Sequence, residues 1–380
     1  MEYYDKNFRL GVLGGGQLGR MLIQEAINYD VKIAALDPSA EAPCSRIAHD
    51  FVQGDFADYQ TVMDFGRDKQ VITVEIEHVN VQALKDLRDS GVKVFPQPEV
   101  LEIIKDKGKQ KLFYQENGIP SADFFLVDDK AGMAELAHEM PFMQKARTGG
   151  YDGKGVTPVR NEEEMNQGFD CPSVLEKFVD FEKELSVIVA RNEKGEMETF
   201  PLVELDFNPE ANLVEFLFAP ARVGVEIEEK ARAIALKTAE AFGVVGILAV
   251  ELFLTREGEV LVNEVAPRPH NSGHQTIEGN YTSQYGQHLR AITGMPLGDT
   301  SARGASVMVN LLGEKGFQGP VKYEGLNDVT AWKGVYVHLY GKTQTKSFRK
   351  MGHVTIVSDT LEEAQKTAHQ VKDTLKVVAE

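Results

Sequence analysis

The sequence predicts an α/β fold whose N-terminal part is a Rossmann-like parallel-sheet domain, for three reasons. Short apolar segments alternate with amphipathic helical segments over the first hundred residues, as they do in parallel α/β sheets. A glycine-rich turn joins the first such strand to the first helix. The later sequence is dominated by strand-like segments, and 380 residues are too many for one hydrophobic core. We therefore expect two or three domains.

The N-terminal domain is expected to cover residues 1–98 and to begin with a buried strand over 10–13. Gly14, Gly16 and Gly19 then open a helix, and Asp37 ends the next strand about 20 residues on. This dinucleotide-binding fingerprint leaves an NAD-dependent oxidoreductase as one interpretation. The alternative is a tight strand-to-helix turn whose helix N-terminus holds some other polar group. We favour the alternative because no hydride-transfer constellation follows.

Two further domains are expected after residue 98. A small domain over 99–180 begins with a lysine-rich helix, ended by a glycine and a proline just beyond it, and contains the glycine-rich stretch RTGGYDGKG. A larger domain over 181–380 follows. The remaining predicted elements are the helix over 99–117, strands over 174–220, a helix over 226–242, a β-rich portion from about 304 and a closing helix over 360–376.

Composition and charge exclude several classes of protein. Apolar residues make up 42% and charged residues 26%, as in ordinary globular proteins, and the net charge of −17 argues against nucleic-acid binding, which depends on neutralising phosphates. The N-terminus has no apolar signal core, and the longest apolar run is too short to cross a bilayer. Cys44 and Cys171 lack metal-type spacing. We expect a cytoplasmic enzyme with no membrane or nucleic-acid partner.

The segment ILAVELFLTREGEVLVNEVAPRPHNSGH carries the most chemical information. If Gly258 lies at a hairpin tip and Arg256 faces Glu259, Glu251 falls directly opposite Glu264. Two carboxylates about 5 Å apart repel each other, so they need a shared proton or a cation. Mg²⁺ is a good candidate because it binds carboxylate oxygens and completes its shell with water and phosphates. A solvent-facing hairpin with incidental charges is the alternative, but the alternating apolar residues favour burial.

Phosphate-binding groups are predicted in the small domain. Lys145 ends a strand just before the glycine-rich loop 148–155, where it meets phosphate or simply extends its ammonium to water. The loop does not have Walker A spacing, but its glycines allow successive backbone N–H groups to converge on phosphate oxygens. A flexible surface loop is the alternative.

The segment EKFV is predicted to read the edge of an adenine ring. An extended backbone offers the C=O of Lys177 to the adenine amino group and the N–H of Val179 to a ring nitrogen. Glu176 and Glu184 are then placed to hold the adenine amino group and the ribose hydroxyls. Taken alone this segment is weak, because surface glutamates are common.

Together these motifs resemble the ATP-grasp superfamily and, within it, the N5-carboxyaminoimidazole ribonucleotide synthetase family of purine biosynthesis. The resemblance runs nearly end to end, through GGGQLGRM, LDP, EIEHV, TGGYDGKG, EKFV, ELFLT, NEVAPRPHNSGH and YGK…RKMGH. It implies a three-domain ATP-grasp fold, ATP and Mg²⁺, and commonly a homodimer. The implied reaction is the ATP- and bicarbonate-dependent carboxylation of 5-aminoimidazole ribonucleotide through carboxyphosphate, giving ADP and phosphate.

The residues and the resemblance together assign roles to individual positions. The catalytic group borders bicarbonate and the imidazole substrate: Tyr151, Lys154, Arg268 and His274. The nucleotide group is Lys107, Lys145, Gly150, Tyr151, Asp152, Gly153, Lys154, Gly155, Glu176, Lys177, Phe178, Val179, Glu184, Asn263 and Glu264. The group for the second substrate is Gln17, Glu75, His270, Asn271, Ser272, Lys342 and Arg349, the last two for its 5′-phosphate. The metal ligands are Glu251 and Glu264.

Two alternatives and two departures accompany this assignment. A formate-dependent glycinamide ribonucleotide transformylase of the same superfamily would share the nucleotide site, although HNSGH favours the carboxylating enzyme. An NAD-dependent oxidoreductase is the alternative from another class. Lys107 stands where the family often has Arg, and Phe207 lies in a segment where it often has His, so no nucleotide contact is carried over to Phe207.

Overall fold

The computed structural model describes residues 2–149 and 155–380, and its N-terminal region is a five-stranded parallel sheet with helices on both faces. The strands follow the order β3-β2-β1-β4-β5. Three of them are buried on both faces, which is why they read as continuous apolar runs. The elements are β1 (Leu10–Leu13), α1 (Gln17–Ile27), β2 (Ile33–Asp37), β3 (Asp50–Gln53), α2 (Tyr59–Gly66), β4 (Val71–Val74), α3 (Val81–Asp89) and β5 (Lys93–Val94). The predicted Rossmann-like sheet is confirmed.

The single helix predicted over 99–117 is wrong, because two helices occupy that segment. They are α4 (Pro98–Ile104) and α5 (Lys107–Glu116). Asp106 separates them with extended backbone angles, and its side chain accepts hydrogen bonds from the N–H groups of Gly108 and Lys109. An aspartate that caps a new helix in this way competes with continuation of the previous one.

A four-stranded antiparallel sheet follows, in the order β6-β9-β7-β8. Phe142 and Leu175 lie in its apolar core beneath two short helices. The elements are β6 (Phe124–Val127), α6 (Lys130–Glu135), a 3₁₀ turn (Ala137–Glu139), β7 (Phe142–Ala146), β8 (Val156–Val159), α7 (Glu162–Gln167) and β9 (Ser173–Lys177).

The remaining chain forms a nine-stranded antiparallel sheet in the order β15-β14-β10-β12-β13-β16-β20-β18, with β11 paired to β10, and a three-stranded sheet β19-β17-β21. The first group of elements is β10 (Phe181–Arg191), β11 (Met197–Thr199), β12 (Val203–Asn208), β13 (Leu213–Ala219), α8 (Val225–Phe242), β14 (Gly246–Thr255), β15 (Val260–Ala266), a 3₁₀ turn (Asn271–Gly273), α9 (Thr276–Gly279) and α10 (Gln284–Thr293). The second is β16 (Ala305–Leu312), β17 (Gln318–Glu324), α11 (Leu326–Thr330), β18 (Val335–Leu339), β19 (Gln344–Lys346), β20 (Lys350–Ser358), α12 (Leu361–Thr374) and β21 (Lys376–Ala379).

The two faces of β10 have different roles. Leu185 and Val187 point into the apolar cluster that α8 covers, whereas Ile188 and Ala190 belong to the cluster on the opposite face. Glu184 and Ser186 share that opposite face at the other end of the strand. None of the described helices is both long enough and apolar enough to span a bilayer.

The hairpin of β14 and β15 pairs the predicted glutamates through a different register. At its tip Thr255 pairs with Glu259, so the predicted contact of Arg256 with Glu259 is wrong by one residue. A β-bulge on β15, where Asn263 is an extra residue opposite the step from Glu251 to Leu252, restores the count. Glu251 therefore lies directly opposite Glu264, as predicted.

Candidate active site

Three carboxylates lie on one face of the large sheet. Ser186 is opposite Glu251 across β10 and β14, and Glu251 is opposite Glu264 across β14 and β15. Glu184 is two residues from Ser186 and therefore shares the face. The side chain of Glu251 is 15% exposed, while that of Glu264 is 47% exposed. The pair is therefore accessible to solvent mainly at Glu264.

The two opposed glutamates have pKa values shifted in opposite directions. Burial and the nearby charges of Glu264 and Glu184 raise the pKa of Glu251. The ammonium of Lys107 holds the pKa of Glu264 below its ordinary value, and Lys107 Nζ donates to Glu264 Oε2 at 3.2 Å. Without a cation, therefore, Glu251 tends to hold a proton beside the ionised Glu264.

A buried network holds the second predicted phosphate lysine. Lys145 Nζ is 2.7 Å from Glu176 Oε2 and donates to Asn263 Oδ1 at 3.2 Å. Glu176 is 7% exposed, and its other oxygen is 3.5 Å from the ammonium of Lys111, which is 2% exposed. The Glu176 side chain is thus already engaged by two cations and fixes Lys145. The contact of its carboxylate with an adenine amino group stays a prediction.

Lys111 is a site residue that the sequence did not reveal. Its ammonium lies 5.6 Å from the centroid of the Phe124 ring, and burial lowers its pKa although Glu176 partly compensates. Its spacing of four residues from Lys107 on α5 was the available signal, since that spacing puts both side chains on one helix face.

Glu184 lies close enough to Glu264 and Lys145 for both charges to act on its pKa. Burial, together with the charge of Glu264, raises the pKa of Glu184 to about 7, although Lys145 opposes the shift. It pairs across the ladder with Phe253, whose ring stacks on Phe181 at 4.6 Å between centroids. A protonated or hydrogen-bonded carboxyl at this position is suited to polar hydroxyl groups of a ligand.

The EKFV segment leaves strand β9 at Lys177. Its ammonium bonds to Glu139, so the side chain is occupied and only its backbone can read a base. Within residues 2–149 and 155–380, the N–H of Val179 donates to no other group. Phe178 is 40% exposed, with the Arg160 guanidinium 5.7 Å from its ring centroid.

Two basic side chains after β15 point toward carboxylates. Arg268 makes a two-point contact with Glu77, with Nε 2.8 Å from Oε1 and Nη2 3.2 Å from Oε2. This contact joins the large sheet to the N-terminal region. His270 Nε2 lies 3.6 Å from Glu251 Oε1, and its Nδ1 is 2.9 Å from the hydroxyl of Ser272. Neither side chain is fully buried.

Asn271 and Ser272, which follow His270 in HNSGH, form hydrogen bonds to the large sheet. Ser272 Oγ is 2.8 Å from Ser186 Oγ, and Ser186 lies on the carboxylate face opposite Glu251. Asn271 and Asn310 exchange two amide hydrogen bonds of 2.9 Å. These bonds attach the segment to the strands on either side and leave the His270 ring facing Glu251.

His274 is buried behind the site. It is 1% exposed, and its Nδ1 is 3.1 Å from the Tyr285 hydroxyl and 3.2 Å from the Gln284 amide. Burial lowers its pKa well below the usual range. Gln284 in turn accepts from the N–H and donates to the C=O of His270. His274 thus supports the backbone of His270 through Gln284.

The predicted 5′-phosphate residues lie in the β18–β20 region. Lys342 Nζ donates to the C=O of Lys350 at 2.7 Å, and Arg349 Nη1 donates to the C=O of Gln344 at 2.6 Å. Arg20 of α1 lies near Gly341, the residue before Lys342. The site residues Gly150, Tyr151, Asp152, Gly153 and Lys154 lie outside the described residues. Gly155 is described: its C=O accepts from the N–H of Ala146 at 2.8 Å, and its φ is 76°.

Three domain families match successive parts of the chain. Residues 8–105 match the ribonucleotide synthetase preATP-grasp domain, residues 112–285 the ATP-grasp domain, and residues 306–367 the phosphoribosylaminoimidazole carboxylase C-terminal domain. The N5-carboxyaminoimidazole ribonucleotide synthase of Bacillus subtilis is 38% identical over 362 residues, 93% of this chain and 92% of that protein. The chain belongs to the N5-carboxyaminoimidazole ribonucleotide synthetase family.

Relatives of this ATP-grasp ligase family include longer proteins and solved structures. The chloroplastic phosphoribosylaminoimidazole carboxylase of Vigna aconitifolia is 40% identical over 93% of this chain, which spans only 64% of that protein. The synthetase of Thermotoga maritima superposes with a TM-score of 0.91 at 42% identity, covering 98% of this chain and 100% of that one. The Aspergillus clavatus synthase in complex with ADP and 5-aminoimidazole ribonucleotide gives 0.88 at 32% identity, over 97% and 98%.

In this member of the synthetase family, carboxylates of the same chain accept the backbone N–H groups of the glycine fingerprint. The Glu75 carboxylate accepts the N–H of Gly16 through one oxygen and that of Gly19, at 2.6 Å, through the other. Asp37 accepts the N–H of Gly15 at 2.8 Å. A pyrophosphate placed at the start of α1 would meet the Glu75 carboxylate, so the favoured interpretation of a tight turn fits the structure and the NAD interpretation does not. Gln17 begins α1 beside this contact.

Proposed function

We propose that this chain carboxylates the amino group of 5-aminoimidazole ribonucleotide, with ATP and bicarbonate as the other substrates and ADP and phosphate as products. The single observation that carries the proposal is the Glu251–Glu264 pair with Lys107 and Lys145 beside it. Membership of the family supports the reaction, as does the relative solved with ADP and 5-aminoimidazole ribonucleotide. The assignment of each site residue below is part of the proposal.

Glu251 and Glu264 fit a divalent cation. Among the described residues no cluster of three or more His, Cys, Asp or Glu side chains could enclose a metal. Two carboxylates suit Mg²⁺, which commonly takes its other ligands from water and phosphate. Burial, followed by the charges of Glu264 and Glu184, raises the pKa of Glu251, and a cation between the two carboxylates would offset their repulsion. When bound, Mg²⁺ would neutralise charge that builds up on a transferring phosphoryl group.

The lysines and the EKFV backbone hold ATP in this proposal. Lys107 releases the Glu264 carboxylate and Lys145 releases the Asn263 amide, so that both ammonium groups contact phosphate oxygens. Asn263 stays beside them. The backbone of Lys177 and Val179 reads the adenine edge. Glu184 holds the ribose hydroxyls, while Glu176 stays between Lys145 and Lys111. Residues 150–154 are proposed to cover the phosphates on the basis of the sequence motif alone.

The chemistry then runs in two steps. A bicarbonate oxygen attacks the γ-phosphorus, ADP leaves, and carboxyphosphate forms. The exocyclic amine attacks the carboxyl carbon, phosphate leaves and the amine loses one proton. We assign this proton to His270, because His274 is 1% exposed and its Nδ1 is already engaged. Arg268 then offsets the charge of the bicarbonate-derived group.

The second substrate is proposed to lie between the N-terminal region and the large sheet, where the Arg268–Glu77 contact joins the two. Gln17, Glu75, His270, Asn271 and Ser272 border that space. Lys342 and Arg349 are proposed to take the 5′-phosphate, and Arg can do so with two parallel hydrogen bonds.

The reaction can be tested by ADP release from purified protein with MgATP and bicarbonate, with and without 5-aminoimidazole ribonucleotide. A parallel set uses formate and glycinamide ribonucleotide. We expect turnover that requires the aminoimidazole substrate. Turnover only in the formate set would replace the proposal with the transformylase while keeping the nucleotide site, and no turnover in either set would contradict it.

We also propose that the protein is a cytoplasmic homodimer. Both cysteines are free thiols, Cys44 buried and Cys171 partly exposed, as suits a reducing compartment. The dimer follows from the family resemblance. Light scattering during size-exclusion chromatography measures the mass of the protein in solution. A single mass equal to one chain would contradict the dimer.

A further inference from the structure

We propose that the ion pair between Asp106 and Arg147 is a positioning pair, which fixes the two phosphate-binding lysines, Lys107 and Lys145, relative to each other. The inference rests on the proposed function, because the lysines receive their phosphate role there. Neither Asp106 nor Arg147 belongs to the site predicted from the sequence.

The pair is a two-point, partly buried contact. Arg147 Nε donates to Asp106 Oδ1 at 2.9 Å, and Nη2 donates to Oδ2 at 2.7 Å. The side chains are 25% and 17% exposed. Burial raises the pKa of Asp106, but the hydrogen bonds and charge of Arg147 together with the N–H groups of Lys109 and Gly108 outweigh it and hold that pKa below its ordinary value. Such a fork fixes orientation as well as distance.

The pair connects the two segments that carry the lysines. Asp106 precedes Lys107 at the start of α5, and Arg147 follows Lys145 just after β7. A backbone hydrogen bond reinforces the link, since the N–H of Lys107 donates to the C=O of Arg147 at 2.9 Å. Asp106 Oδ1 also accepts from Gly108 at 2.8 Å, so one carboxylate holds both the first turn of α5 and the guanidinium.

The neighbouring backbone is shaped around the guanidinium. A Cβ on Gly108 would lie 2.6 Å from Arg147 Nε, so any other residue there would displace it. The N–H of Arg147 donates to the C=O of Pro172 at 3.0 Å, which attaches the segment to the start of β9. Through these contacts the Asp106–Arg147 pair fixes the backbone that carries Lys107 and Lys145, so it affects a bound nucleotide only through the positions of the two lysines.

The test compares Arg147→Gln and Asp106→Asn with the wild-type protein by calorimetric titration. Asn keeps a side-chain oxygen to cap α5, so Asp106→Asn removes the charge and leaves the cap. We expect the affinity for MgATP to fall by about 10- to 100-fold, the scale of weakening a charge-assisted hydrogen bond to a phosphate. The affinity for AMP, which lacks the two outer phosphates, should change by less than about twofold.

Arg222→Gln is the matched control. Arg222 makes an equally two-pointed contact with Glu204, through Nε at 3.0 Å and Nη2 at 2.5 Å, on the opposite face of the large sheet. Its loss should lower the thermal midpoint and leave the affinity for MgATP unchanged. The double variant Asp106→Asn/Arg147→Gln should bind MgATP no more weakly than the poorer single variant, because the pair acts as one unit.

Two results would overturn the inference: equal losses of MgATP and AMP affinity, or MgATP affinity within about twofold of wild type in both folded variants. If Arg147→Gln does not fold, Arg147→Lys keeps the charge, loses the fork and should still weaken MgATP selectively. The two proposals fail separately. If the wild-type protein binds MgATP but releases no ADP with the aminoimidazole substrate, the proposed reaction is wrong. The titrations of MgATP and AMP still decide whether Asp106 and Arg147 position the lysines.

Discussion

Glu264 lies directly opposite Glu251 because Asn263 is an extra residue in β15. Without that bulge the hairpin register would place Asn263 opposite Glu251. With it, Asn263 accepts from Lys145 while the adjacent Glu264 accepts from Lys107. Bulges commonly redirect a side chain next to an active site. Here one irregularity gives each of the two lysines its own acceptor beside the carboxylate pair.

Replacing Glu264 with Gln should abolish most ATP turnover. The change removes the charge that we propose binds the metal and the acidic partner of Lys107, so we expect ADP release to fall by about 100- to 1,000-fold at saturating MgATP. Folding should be preserved, because Glu251 loses its like-charged neighbour. Glu257→Gln, at the exposed tip of the same hairpin, is the control and should turn over normally. Near-normal ADP release by Glu264→Gln would show that the metal assignment is wrong.

Parts of the fold that depend on local pattern were predictable, and parts that depend on tertiary contacts were not. Alternation revealed the buried hairpin, but it could not reveal the bulge at Asn263, so the predicted pairing was right while the tip register was wrong by one. Asp106 is a residue type that commonly caps a helix, but the helical pattern on both sides of it is strong, so one continuous helix was predicted.

The site shows the same division. The pairing of Glu251 with Glu264 was predicted from their spacing, and it holds because the bulge at Asn263 compensates for the one-residue error at the tip. Lys111 and Glu77 were not predicted, since their roles arise from contacts with Glu176 and Arg268 at distant positions in the chain. The sequence motif placed His274 at the substrate site and left the proton carrier open. A motif carries no information on burial, and the structure leaves His270 partly exposed while His274 is buried.

The stability of the ligand-free protein should depend on Glu184 between about pH 4.5 and pH 7. Its folded pKa is raised from 4.5 to about 7, so in this window the folded state holds a proton that the unfolded state has lost. Stability therefore falls as the pH rises through the window. Thermal midpoints from pH 4 to pH 8 should decline more steeply for the wild type than for Glu184→Gln. Glu182→Gln, an exposed neighbour on β10, should follow the wild type. Parallel curves for all three proteins would contradict the assignment.

Replacing Glu75 with Gln should destabilise the N-terminal region. Both Glu75 oxygens accept backbone N–H groups, and Gln would turn an NH₂ donor toward one of them. An unsatisfied buried donor costs about 1–3 kcal/mol, which urea unfolding can measure. Glu41→Gln, on the exposed surface, should leave the unfolding curve unchanged. NAD binding by the wild-type protein would contradict the argument that Glu75 already occupies the anion position.

His270 and His274 should respond differently to replacement by Gln. His270 faces Glu251, so His270→Gln should lower aminoimidazole-dependent ADP release by about 100-fold or more and leave the unfolding curve nearly unchanged. His274→Gln disturbs a fully buried contact with Tyr285 and should lower the free energy of unfolding by about 1–3 kcal/mol. Its activity should recover when the assay is run well below its unfolding temperature, because the Gln284 bonds to His270 remain. Measuring turnover and urea unfolding on both variants separates the two roles. The reverse pattern, an inactive but stable His274→Gln beside an active His270→Gln, would assign the proton-transfer role to His274.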